Sequence, residues 1–152
     1  MITFAPAIRF LVLSSVLLAA HTAHATMTCA VPPTSPAGHS YYVDPVNGSM
    51  ANDGSSSAPW SNLQAVLNSG LVASLYYKTY VTGASLSGPH PNAVVEAGDT
   101  IHLRSGNYGA IKVANAYNDG FVTIAAETGQ TPVFSSLVVE GAAKWIFQGI
   151  TV

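Results

Sequence analysis

The stretch Ala97-Gly98-Asp99-Thr100-Ile101-His102-Leu103-Arg104-Ser105-Gly106-Asn107-Tyr108 decides how this chain is read. Within it, Ile101-His102-Leu103-Arg104 alternates apolar and polar residues, the period of a strand with one buried face. Gly98 and Gly106 flank that strand, where a residue without Cβ can serve a sharp bend. The same texture continues in Tyr108 to Val113, Phe121 to Ala125, Val133 to Val139 and Lys144 to Val152. Turn residues separate these runs: Ser105-Gly106-Asn107, Asn118-Asp119-Gly120, Thr128-Gly129-Gln130 and Glu140-Gly141.

The spacing of the runs carries more information than the runs themselves. Ile101, Val122 and Trp145 mark one series of similar steps, and Ile111 and Leu137 mark a second series interleaved with it. Steps of this size, about 20–25 residues, lie in the range of solenoid repeats. Two strand series repeating in this way, with no helix between them, suit stacked β turns of a solenoid. A flat antiparallel sandwich has strands of similar length and is the alternative.

Upstream, Tyr41-Tyr42-Val43 is a short strand candidate, and Asp44 to Ser57 is dense in turn residues. Trp60, Leu63, Val66 and Leu67 fall on one helical face. Ser61 with Gln64 has capping-box spacing and Gly70 is a plausible stop, so one short amphipathic helix is expected. Leu71 to Ala97 reads as a strand or helix extension followed by a loop, with Tyr76, Tyr77 and Tyr80 either packed or available to stack on sugars.

The chain has 152 residues, of which 49% are apolar and 8% charged, and its formal net charge is -2. That length fits one domain. So little charge with so much aliphatic residue argues against disorder by self-repulsion. Five scattered Lys and Arg residues exclude a basic nucleic-acid footprint.

Residues 1–25 have the pattern of a secretory signal peptide: Arg9, an apolar run from Phe10 to Ala20, and Ala23-His24-Ala25 before a cut after Ala25. Eleven residues at 1.5 Å each reach about half of a ~30 Å hydrocarbon core, so a membrane span is a poor fit. Export, to the periplasm or outside the cell, is the expected localisation. Residues 26–40, with Pro32, Pro33 and Pro36, read as an extended leader, and 41–152 as the folded domain. The single Cys29 allows no internal disulfide.

Several motifs in order carry a family resemblance. Tyr42-Val43-Asp44-Pro45, Asn47-Gly48-Ser49, Asn52-Asp53-Gly54-Ser55, Ala58-Pro59-Trp60 and Leu63-Gln64-Ala65-Val66 lead to the Gly98-Asp99-Thr100 segment. This series resembles the start of secreted right-handed parallel β-helix proteins of the pectate-lyase-like superfamily. The resemblance implies an all-β solenoid whose N-terminal end is capped by a short α-helix. Trp60, Leu63 and Leu67 would then cover the exposed end of the core. Three features depart from the pattern. Met50 replaces a frequent Asp, the stretch from Leu71 to Ala97 is a long insertion, and the sequence ends at Val152 inside what reads as another β turn. The last feature suggests an N-terminal portion of a longer protein or a truncated reading frame. A complete small domain, with its last edge hidden by pairing, is the alternative.

The chemistry-bearing residues are few. His102 and Arg104 share one face of their strand, where Arg could make bidentate bonds to a uronate carboxylate. They are the candidate substrate-binding residues, against a reading as ordinary exposed polar residues. Asp44, Asn47, Asn52 and Asp53 gather oxygens but lack EF-hand spacing, so turn formation is the preferred reading. Asn47-Gly48-Ser49 fits a glycosylation sequon. The resemblance implies β-elimination on uronic acid polymers by an Arg or Lys base, with Ca²⁺ possible in a full-length protein. Its catalytic residues would lie beyond Val152, and no metal ligands are assigned. The expected partner is thus an extracellular polysaccharide, bound by a monomer. A surface adhesin or passenger-like β-helix, or a carbohydrate-binding domain using Tyr76, Tyr77 and Trp145, are the rival functions.

Overall fold

A computed structural model describes residues 38–152. The signal sequence, its cleavage after Ala25, Cys29 and most of the proposed leader lie outside the described residues. Seven elements follow in order: β1 (Ser40–Val43), α1 (Leu63–Asn68), β2 (Thr100–Leu103), β3 (Gly106–Asn107), β4 (Ala110–Ala126), β5 (Pro132–Val133) and β6 (Ser136–Gln148). Ser40, placed in the leader from sequence, is the first residue of β1. Strands dominate, and every ladder between them is parallel. One sheet has the order β1-β2-β4-β6 and the other pairs β3 with β5. No helix among the described residues is long and apolar enough to cross a membrane.

Register gives the strand spacing its physical meaning. Ile101 pairs with Ile124, and Val122 with Trp145, so the step from β2 to β4 equals the step from β4 to β6 in this part of the sheet. The first step of the sequence series, from Ile101 to Val122, is therefore corrected by two positions. Ile111 pairs with Leu137, as the second series expects. Ala110 to Val113, from the first of two separate runs in the sequence, and Phe121 to Ala125, the second, are merged into the single strand β4, while Tyr108 and Gly109 precede it. That strand changes direction at Asn115, whose φ of 51° is matched by 55° at Gly141 of β6. The pairs on either side, Ala114 with Glu140 and Ala116 with Ala142, stack these two corners on each other. Asn and Gly are the residues that enter this left-handed region most readily.

The core forms where alternating strand residues meet the helix. Ile101 and Leu103 of β2 are fully buried, as are Ile111 and Ile124 of β4, Leu63 and Val66 of α1, and Trp60 just before the helix. Helix α1 is only six residues long, so its stability derives from this packing and not from helix propensity. Its N-cap is Asn62, whose side chain accepts the Ala65 N–H at 2.9 Å. The capping-box role expected of Ser61 and Gln64 is thus not the one used. Gly70, at φ 77°, follows the helix end as expected.

The Gly98-Asp99-Thr100 segment is a structural junction. The buried Asp99 carboxylate accepts the N–H of His39 at 2.6 Å and of Glu96 at 2.7 Å, tying the entry of β1 to that of β2. Gly106 serves the next bend at φ 146°, and a Cβ there would lie 2.5 Å from the Pro45 ring. The insertion, Leu71 to Ala97, forms neither helix nor strand and is held by isolated bridges: Val72 to Val95, Tyr76 to Ser87, and Leu75 to Tyr117 of β4.

Candidate functional site

His102 of β2 and Arg104, the residue just past its end, alternate with the buried Ile101 and Leu103. Both meet the ring of Tyr42 on the neighbouring strand. His102 stacks on it with centroids 5.0 Å apart, and the Arg104 guanidinium lies 5.7 Å from its centre. Arg104 then reaches across three segments. Its Nε donates to Glu127 at 3.1 Å, one terminal nitrogen donates to the Ser56 carbonyl at 2.8 Å, and the other lies 3.5 Å from the Asp44 carboxylate.

This arrangement is a knot of internal bonds. Asp44 is buried, yet its carboxylate accepts the N–H groups of Val46 and Asn47 and the Asn47 side chain. Burial pushes the Asp44 carboxyl up, but these bonds together with Arg104 outweigh it and hold it below its ordinary value. The Tyr108 hydroxyl lies 2.9 and 2.8 Å from the carbonyls of Val43 and Arg104, to either of which it donates its one proton, and burial raises it well above the usual phenol range. Asn52 donates to the Pro59 carbonyl, and Asp53 accepts the Ser55 N–H. The four oxygen-bearing residues thus serve turns. Among the described residues no three His, Cys, Asp or Glu side chains converge to hold a metal ion.

A different set of side chains lines a cleft of about 630 Å³ between α1, the insertion and the first half of β4. Tyr76 and His90 stack face to face there, 4.9 Å apart and 6° from parallel. Trp145, Gln64, Asn68, Lys112 and Asn115 complete much of the wall. Of the three aromatic residues singled out from sequence, the structure brings Tyr76 and Trp145 to this cleft. Tyr77 instead packs edge-on against Tyr117 at 5.5 Å and lies near Tyr80. The Trp145 indole N–H donates to the Ala116 carbonyl, which fixes the ring in place.

The cleft exists because the first half of β4 has a sheet partner on one side only. β2 pairs with Thr123 to Ala126, leaving Ala110 to Tyr117 with β6 alone. A bare strand edge exposes N–H and C=O groups that need partners. Two devices cover this one. The Gln64 carboxamide accepts the Lys112 N–H at 2.7 Å and donates to the Lys112 carbonyl at 3.0 Å. Farther along, Leu75 exchanges two backbone bonds with Tyr117. Asn115 performs the converse task, its carboxamide binding both backbone groups of Tyr77.

Sequence reasoning missed Gln64, His90 and Asn115 as site residues. The partners of Gln64 and Asn115 lie 48 and 38 positions away, so no local pattern marks them. Lys112 projects at the cleft and is paired with Glu140 at 2.8 Å. No protein-family profile, no curated protein and no solved structure matches this chain.

Proposed function

We propose that the chain forms the first turns of a right-handed parallel β-helix in an exported protein, and that its cleft binds extracellular polysaccharide. The all-parallel ladders support the solenoid part, with the equal steps from Ile101 to Ile124 and from Val122 to Trp145 and their stacked corners. α1 then serves as the N-terminal cap suggested by the resemblance to pectate-lyase-like proteins. The observation that carries the binding part is the cleft itself. It places the aromatic side chains of Tyr76, His90 and Trp145 beside the Asn68 carboxamide and the exposed backbone of Ala114. Sugar rings present apolar C–H faces and polar hydroxyl edges, which such a mixture complements.

Binding, and not bond cleavage, is the role these residues support. The cleft offers stacking and hydrogen bonding, while its Lys112 ammonium is held by Glu140. In a lyase-like protein acting on uronic acid polymers, the cleft would position the chain beside a catalytic site formed elsewhere. His102 and Arg104 fit this reading less well as substrate contacts, because Arg104 is already bonded to Glu127, Asp44 and Ser56.

Affinity electrophoresis through gels containing pectate, alginate, xylan or a soluble glucan tests the reading. Retardation in at least one gel, reduced by His90→Ala, is expected. Unretarded migration in all four would contradict it and favour a non-enzymatic surface β-helix such as an adhesin.

A further inference from the structure

The edge of β4 is open in the cleft at Ala114, as it is at Ala110 on the other side of Lys112. Backbone N–H and C=O groups of alternate residues point to the same side of a strand. Lys112 turns both toward the cleft, where the Gln64 carboxamide meets them. Ala114, about 6.6 Å farther along, therefore turns its own pair the same way. Ala114 is exposed and lines the cleft, and among the described residues no bond from a side chain or loop reaches its N–H or C=O.

The neighbours limit what can dock there. Gln64 blocks the edge at Lys112 and the Leu75 bridge blocks it at Tyr117, so an added peptide strand has no room to continue in either direction. The opening at Ala114 is one residue wide. Gln64 shows what such an edge accepts: an acceptor and a donor side by side on one small group. Two adjacent hydroxyls of a sugar ring have that layout, one accepting from N–H and the other donating to C=O. An N-acetyl group does not, because C=O and N–H of a trans secondary amide point in opposite directions.

We infer that the Ala114 backbone, in the cleft that Tyr76, His90 and Trp145 also line, selects sugar rings carrying two free adjacent hydroxyls and discriminates against rings where one is blocked or replaced by an acetamido group. This inference rests on the polysaccharide reading of the same cleft and narrows it to a class of sugar. It assigns the contact to main-chain atoms, which carry no side-chain signature.

Titrating ¹⁵N-labelled protein with cellotriose, trigalacturonate, their 2,3-di-O-methyl forms and tri-N-acetylchitotriose whose terminal ring is capped by 4-O-methylation tests it. The Ala114 amide signal should move with at least one unmodified trisaccharide, while the methylated and acetamido forms bind about tenfold or more weakly. Ala114→Pro removes the N–H without touching the ladder to β6, so binding should fall about tenfold with the fold retained. If that variant fails to fold, the amide shift in the unaltered protein still decides. Equal binding of blocked and free sugars, or no Ala114 shift with any trisaccharide, overturns the inference. Polysaccharide retardation in gels despite such a result would leave the broader reading standing, whereas loss of both would end both.

Discussion

The knot around Arg104 and the cleft beside β4 are built from similar materials and differ in what is left unpaired. Each has aromatic rings, amides and a cation held by a carboxylate. In the knot, Arg104, Asp44, Asn47, Ser105 and Gln130 bond to one another or to nearby backbone. A ligand entering there would have to replace bonds already made, and each displaced charged partner would lose a stabilising contact. In the cleft, Gln64 and Leu75 close the strand edge on either side of Ala114 and leave its amide facing outward. The lesson is that a charged residue in a groove whose bonds are complete serves the fold, whereas a plain backbone amide left unbonded is where the proposed ligand contact falls.

Breaking the knot should have the larger consequences. Trp60 is buried, stacks on Tyr41 at 5.4 Å and donates its indole N–H to the Asn52 carbonyl. Trp60→Ala should therefore cost about 3–5 kcal/mol of stability, measured by urea unfolding. Arg104→Met keeps the stem and removes the charge, leaving buried Asp44 without its cationic partner. A loss of about 1–3 kcal/mol at neutral pH is expected.

The pH dependence follows from the lowered Asp44 value. A carboxyl that is more acidic folded than unfolded adds stability above its unfolded pKa of about 3.9. That contribution disappears as pH falls through the lower folded value. Arg104→Met should shrink the gap between the two values, so thermal melts of the variant should lose less stability between neutral pH and acid than melts of the parent.

Changes in the cleft should sharpen the contrast from the other side. Gln64→Ala uncovers the Lys112 backbone to water and should cost about 0.5–1.5 kcal/mol, read by urea unfolding. His90→Ala removes an exposed half of the aromatic stack. Its melting temperature should stay close to the parent's, while polysaccharide retention falls several-fold, about the size of one aromatic contact.

Much of the fold was legible because its signals are local. Alternation placed β2, and the 3.6-residue period placed α1 with Leu63 and Val66 inward. The register slipped by two positions because such a slip keeps every side chain on its own face. Val122 and Ile124 are both buried, so either satisfies the pattern opposite Ile101. The corner at Asn115 was hidden for another reason: its neighbours Ala114 and Ala116 carry no turn chemistry, and the bend is held by Tyr77 from the insertion. The cleft was partly visible through Tyr76 and Trp145, but its open amide belongs to an alanine, a residue type that no chemical motif singles out. Arg104 was conspicuous in the sequence as a charge on a strand face, and only the distances reveal that its donors are engaged.

Amide hydrogen exchange at Lys112 and Ala114 tests the contrast most directly. In the free protein, Lys112 should be protected by its bond to Gln64 while Ala114 exchanges as an open edge, and cellotriose or trigalacturonate should slow Ala114 alone. An Ala114 amide as slow as that of Lys112 before any sugar is added would contradict the open site on which the binding account depends.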